Sequence, residues 1–222
     1  SFQPGSTVEY SAPVNQYVLQ QSDFLATTLN NQYWNLIISG ANNKIIRAGI
    51  LTVRGNLNIT NSAGLPVLDQ TVNNTPIAIG GNWSDYNQIG FNQSLSTTSY
   101  VKFIGVGTAP TTPTQLISCT GGEIFTNLWI AKNTNAPVKL LSPVTVTNTL
   151  TLGQTATSYY GILQLNANSL TLDNPLASAI VLTGLGQYNR FIISEDATGA
   201  NGSVVRWNIG ATSTPIPNSA NT

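Results

Sequence analysis

The sequence predicts an all-β protein, built as a right-handed parallel β-helix or solenoid, and three observations support that expectation. Short bursts in which Thr, Val, Ile, Leu and Asn alternate run through the chain, the period-two, β-branched signature of half-buried strands. Clusters of Gly, Asn, Ser and Pro separate the bursts and supply turn chemistry. The strand cores recur on a beat of about 21 residues, and no window has a helical period.

Taken in order, the bursts are Ser6-Thr7-Val8-Glu9-Tyr10, Leu51-Thr52-Val53, Leu57-Asn58-Ile59, Ile77-Ala78-Ile79, Val144-Thr145-Val146, Leu150-Thr151-Leu152 and Leu170-Thr171-Leu172. Turns fall at Ser39-Gly40-Ala41-Asn42-Asn43, Asn61-Ser62-Ala63-Gly64 and Thr108-Ala109-Pro110-Thr111-Thr112-Pro113. Cores that start at Leu36, Leu57, Ile77, Val101, Leu128, Leu150, Leu170 and Phe191 are 21, 20, 24, 27, 22, 20 and 21 residues apart. Such steps suit one coil of two or three short strands, each coil burying its inward residues on its neighbours. The expectation is about ten coils. Leu57 and Ile59 stack beneath Ile77 and Ile79 in one inner column while Asn58 faces out, and loops extrude at residues 82–96 and 105–122.

A longer offset of 93 residues aligns residues 49–59 with residues 142–152 and carries Ile77-Ala78-Ile79 onto Leu170-Thr171-Leu172. It divides the chain into a first β-repeat unit at 1–96, a second at 97–190, and terminal strands with a Pro-rich tail at 191–222. The alternative is two tandem immunoglobulin-like sandwiches, for which 93 residues is the right size. No Cys…Trp…Cys or tyrosine-corner spacing supports it, and the short beat crosses the join.

Composition excludes several function classes. Of 222 residues, 26 are Asn and 28 Thr, only 16 are charged and 41% are hydrophobic, so the chain folds and is not disordered. Eight basic against eight acidic residues give no electrostatic basis for nucleic-acid binding. With no His, Ser-His-Asp and Cys-His nucleophiles and His-bearing zinc sites are excluded. The single Cys119 has no internal disulfide partner and no base beside it. No stretch approaches 18 apolar residues, so no transmembrane segment is expected. The lack of Met suggests a piece excised from a longer precursor.

Phrases such as Tyr33-Trp34-Asn35-Leu36-Ile37-Ile38-Ser39-Gly40, Ile79-Gly80-Gly81-Asn82-Trp83 and Val144-Thr145-Val146-Thr147-Asn148-Thr149-Leu150-Thr151-Leu152 resemble the repeat arrays of large secreted surface proteins of Bacteroidota exported by the type IX secretion system. The resemblance extends to Gly202-Ser203-Val204-Val205-Arg206-Trp207-Asn208-Ile209-Gly210. It implies an extracellular or cell-surface, adhesin-like parent protein whose sorting domain would lie beyond Thr222.

Parallel β-helices that degrade polysaccharides need clustered carboxylates, or a basic residue beside carboxylate-bound calcium. The acids here are Glu9, Asp23, Asp69, Asp85, Glu123, Asp173, Glu195 and Asp196; none recurs at the 93-residue offset, although stacking could bring acids of different coils together. Glu195-Asp196, with Asn201 nearby, could form a calcium-holding turn or simply a solvated one. No catalytic residue, cofactor or metal ligand is therefore assigned, and no enzyme activity is expected. Among the aromatics, Trp83, Trp129 and Tyr159 are the candidates for stacking on sugar rings. Trp129 should face out because Leu128 and Ile130 face in, and Trp83 lies in a Gly-Gly-Asn-Trp-Ser turn that would expose it. The sequence thus reads as a non-catalytic, rod-like adhesive segment whose partners are surface glycans or neighbouring copies of itself. The alternatives are a carbohydrate-binding module or a β-helix polysaccharide-degrading enzyme.

Overall fold

The computed structural model describes residues 3–19, 33–87, 89–105, 114–155, 159–184, 190–194 and 202–206. Its strands follow one another coil by coil. The first coil contributes β1 (Thr7–Tyr10) and β2 (Gln16–Val18), the second β3 (Asn35–Ile38), β4 (Ala41–Ile46) and β5 (Leu51–Val53). The third holds β6 (Leu57–Ile59), β7 (Gly64–Asp69) and β8 (Ile77–Ile79), and the fourth β9 (Trp83–Asp85), β10 (Phe91–Asn92) and β11 (Val101–Phe103). Then come β12 (Gln115–Cys119) with β13 (Glu123–Ile130), and β14 (Val138–Leu140) with β15 (Val144–Gly153). β16 (Gly161–Gln164), β17 (Ser169–Leu172) and β18 (Ile180–Thr183) form the next coil, and β19 (Arg190–Ile193) and β20 (Ser203–Arg206) the last. Every pairing between these strands is parallel, and an isolated bridge outside them, Lys132 with Tyr160, is antiparallel. The protein is a β-solenoid.

Three sheets wrap the core. Sheet I stacks β1, β3, β6, β9, β12, β14, β16 and β19; sheet II stacks β2, β4, β7 and β10; sheet III stacks β5, β8, β11, β13, β15, β17 and β20, with β18 also on β15. Sheet II stops at β10. From β13 onward its place is taken by the first half of a longer strand: residues 123–125 of β13 pair with 144–146 of β15, and after a register shift between Phe125 and Asn127 the second halves pair separately.

Alternation fixes what is inside. The column Leu51, Ile77, Val101, Leu128, Leu150, Ile180 runs through sheet III fully buried, and Leu36, Leu57, Trp83, Ile117 and Leu140 run through sheet I. Each such side chain contributes about 1.5–3 kcal/mol by leaving water. Between them Asn58 and Trp129 sit on the outer face, as the alternation requires.

Three expectations are corrected. Leu57 and Ile59 pair with Trp83 and Asp85 on sheet I, whereas Ile77 and Ile79 pair with Leu51 and Val53 on sheet III, because the 20-residue step from Leu57 to Ile77 passes from one sheet to another. True sheet I partners are 21 residues apart for Leu36 and Leu57, 26 for Leu57 and Trp83, and 34 for Trp83 and Ile117. Among the described residues sheet I is consequently eight strands deep, about 34 Å between its first and last strand at ~4.8 Å per step, against the ten coils expected. Residues 82–96 are not an extruded loop, since they contain β9 and β10, and of 105–122 the part at Gln115–Cys119 is β12, the span 106–113 lying outside the described residues. Sheets I and III continue past residue 96, with β12 paired to β9 and β11 to β8.

Side-chain amides join the coils at the corners. Asn35 Oδ1 accepts from Asn56 N–H (3.0 Å), Asn56 Oδ1 from Asn82 N–H (2.9 Å) and Asn82 Oδ1 from Leu116 N–H (2.9 Å), a ladder through four successive coils. Glycine is required beside it because the coils touch: a Cβ on Gly80 would strike the Arg54 carbonyl, and one on Gly81 would lie 2.5 Å from Gly55 C. Buried Gln115 makes the densest such tie, its Nε2 donating to Ile79 O (3.1 Å) and Gly81 O (2.6 Å) while its Oε1 accepts from Gly105 N–H (3.0 Å). Replacing Gln115 with Leu removes the partners of Gly81 O and Gly105 N–H and leaves Ile79 O with Ile104 N–H as its remaining donor. Urea unfolding should show a loss of about 3 kcal/mol, whereas Asn58→Ala on the outer face should stay within about 0.5 kcal/mol.

Candidate functional site

Sheet III presents its outward residues as columns, and one of them collects the side chains best placed to meet a ligand. Lys102 on β11, Trp129 on β13 and Thr151 on β15 are direct cross-strand partners. The Trp129 indole lies half-exposed on this face, its Nε1–H donating to Gly153 O at 2.6 Å. Tyr100 meets it edge-on, with ring centroids 5.3 Å apart, and the Lys102 ammonium sits 3.7 Å from the Trp129 ring centroid while donating to Gln154 Oε1 at 2.6 Å. Burial lowers the Lys102 pKa and raises that of Tyr100.

Beside these rings is an open groove of about 410 Å³, lined by Tyr100 and Trp129 on its apolar side and by Asn127, Asn148, Thr149 and Thr151 among its polar groups. The amides are held in place: Asn148 Nδ2 donates to Asn127 Oδ1 (2.7 Å), and Asn127 Nδ2 donates to the carbonyls of Ser96 and Ser99 (3.1 and 2.6 Å). Asn174 Nδ2 extends the row by donating to Asn148 O at 2.7 Å. An aromatic wall facing fixed amides and hydroxyls can receive a polar molecule with apolar faces.

The other two sequence candidates fare differently. Trp83 is fully buried on the inner face of β9, packed edge-on against Phe91 (4.9 Å) and Phe125 (5.4 Å), so its indole offers nothing to a sugar. The Gly-Gly-Asn-Trp-Ser phrase is a corner followed at once by a strand, and alternation turns Trp83 inward. Tyr159 is half-buried just before β16 and does not line the groove. Glu195, Asp196 and Asn201, the possible calcium turn, lie outside the described residues. The sequence reading missed Lys102 and Tyr100, yet the cores at Val101 and Leu128 already placed Lys102 opposite Trp129.

Stacking does bring two acids together. Asp85 follows Trp83 along β9, and Cys119 on the next strand is its cross-strand partner. Glu123, four residues on, turns into the same cluster: its Oε2 accepts from Trp83 Nε1–H (2.8 Å) and the Cys119 thiol (3.3 Å), its Oε1 from Ile124 N–H (3.1 Å). Asp85 Oδ1 accepts from Asn87 N–H at 2.8 Å. Burial pushes Asp85 up to about 6; burial and then the Asp85 charge push Glu123 up to about 7. Burial and the neighbouring Glu123 push the Cys119 thiol up, so it stays protonated and unreactive. Glu123 also borders a second groove, of about 760 Å³, where sheet II ends. With three donors already on its oxygens, this carboxyl is built into the core.

The buried acids set a pH dependence. In the folded state both hold protons to higher pH than the ordinary 3.8 and 4.5 of Asp and Glu. Through these two acids the folded protein binds more protons than the unfolded chain between about pH 4 and 7, so their contribution to stability is fully present below about pH 4 and is lost as pH rises through 6 and 7. Denaturant midpoints at pH 4 and pH 8 should differ by about 3 kcal/mol or more, and the double variant Asp85→Asn, Glu123→Gln should show a flat profile over that range.

No protein-family model, curated protein or solved structure matches this chain. Its functional reading rests on the geometry of its own residues.

Proposed function

We propose that this chain is a non-catalytic adhesive segment of an extracellular surface protein, a rigid solenoid whose sheet III face binds glycans. The observation that carries the reading is the Trp129 groove, an indole held outward by its bond to Gly153 and flanked by Tyr100 and by anchored amides. Pyranose rings present apolar C–H faces and hydroxyl rims, matching an aromatic wall beside side-chain amides. Stacked parallel coils suit such a role because each coil adds reach and leaves the outer columns free for display. The resemblance of the strand phrases to Bacteroidota repeat arrays supports a place in a large protein exported by the type IX system. In that setting neighbouring copies are a further partner, since few charges oppose side-by-side packing.

A glycan array probed with the purified protein tests the reading. Binding to at least one glycan class is expected, with Trp129→Ala weakening it about tenfold or more while thermal melting stays cooperative. Tyr159→Ala should leave binding unchanged. An array with no bound glycan, or one on which Trp129→Ala binds like the native protein, removes the proposal.

A further inference from the structure

We propose that the Trp129 groove selects acidic glycans, with Lys102 receiving a sugar carboxylate; this rests on the glycan-binding reading above. Three lysines have lowered pKa values through burial, and comparing their partners separates them. Lys44, fully buried in sheet II, donates to the carbonyls of Ala12 (2.7 Å), Val14 (3.1 Å) and Ala41 (2.6 Å). All three of its N–H groups are used, and it is a clamp between coils. Lys132 is equally buried, and its Nζ donates to Pro137 O at 3.2 Å. Neither can reach a ligand.

Lys102 differs in being half-exposed, on the outer face beside a groove. Among the described residues its ammonium has one hydrogen-bond acceptor, Gln154 Oε1, and the π face of Trp129, with no carboxylate partner. A partly desolvated ammonium held by neutral groups gains more from an incoming anion than a fully hydrated one does. The groove lining adds no charge of its own. Of the acids described, Glu9 is on β1, Asp69 on β7 and Asp173 beyond β17, while Asp85 and Glu123 are in the core. Lys102, over the Trp129 ring and outside the lining itself, therefore stands beside a groove whose lining holds no anion. A pyranose against the aromatic wall would meet the amides of Asn127 and Asn148 through its hydroxyls, and a carboxyl on its rim would lie within reach of Lys102.

The test titrates the native protein with short oligouronates and with the same oligosaccharides after carboxyl reduction, which removes the charge and keeps the backbone. The carboxylated forms should bind about tenfold more tightly or better, and the difference should shrink as salt rises from about 50 to about 500 mM. Lys102→Met, which keeps an unbranched apolar chain over the indole, should bring the ratio of carboxylated to reduced binding to about one. Equal binding of both forms by the native protein, or a preference that survives Lys102→Met, overturns the proposal and leaves glycan binding standing. Binding of neither form at millimolar concentration to a protein that also captures nothing on the array overturns both. Should Lys102→Met fail to fold, the salt titration of the native protein decides alone: a preference insensitive to salt counts against Lys102.

Discussion

The structure depends on how a chain of three- and four-residue strands turns a corner without stranding backbone polar groups. Within each sheet the parallel ladder pairs the backbone automatically, but at a corner the ladder stops and N–H groups face the coil below. Here a carboxamide from that coil fills the gap, as Asn35, Asn56 and Asn82 do in succession, and Gln115 does from within the core. This is one reason the chain is so rich in Asn: the short amide carries an acceptor and two donors at a reach that spans one coil. Glycine at positions 80 and 81 is the complementary requirement, because coils close enough for these bonds leave no room for a Cβ.

Once coils are locked in register at the corners, strand alternation distributes the remaining residues with little freedom. Inward positions become continuous apolar columns, and outward positions become columns whose members come from different coils. The candidate binding surface is a product of that geometry. Lys102, Trp129 and Thr151 are far apart in sequence and adjacent only because β11, β13 and β15 stack in register; Asn127 and Asn148 pair at the bulge between β13 and β15, and Asn174, just beyond β17, extends the row. Stacked strands thus hold an aromatic ring, an ammonium and two amides on one face, a preorganisation that would lower the entropic cost of binding a ligand.

How much of this was legible in the sequence follows from the same logic. Alternation is a local property, so the strands at Leu51–Val53, Leu57–Ile59, Ile77–Ile79 and Ser169–Leu172 and the outward placement of Asn58 and Trp129 could be read directly. Coil length is not local. Partners lie from 21 to 34 residues apart, so a uniform beat slipped from sheet I to sheet III between Leu57 and Ile77 and matched strands that never pair. The same slip hid the meeting of Asp85 with Glu123, and the phrase around Trp83 looked like an exposed turn because its Gly-Gly corner is followed by a strand of only three residues. Lys102 was within reach of the sequence, since the cores at Val101 and Leu128 fall in true register.

The buried carboxyls sit where the architecture changes. Sheet II ends at β10, and residues 123–125 of β13 have β15 on one side and no paired strand on the other. The Glu123 N–H bonds to Pro143 O on the β15 side, so the next N–H along the strand, that of Ile124, points toward the missing neighbour. Glu123 Oε1 accepts it, doing for this edge what the ladder does elsewhere, while Oε2 ties the edge to Trp83 of the preceding coil and to Cys119 of its own. A neutral amide there could accept the Ile124 bond but would turn a donor toward the indole N–H or the thiol. An ionised carboxyl supplies two acceptor oxygens in one side chain, and the cost is its burial, with Asp85 nearby, both of which raise its pKa. The acid pair is thus the structural consequence of ending one sheet inside a continuous solenoid.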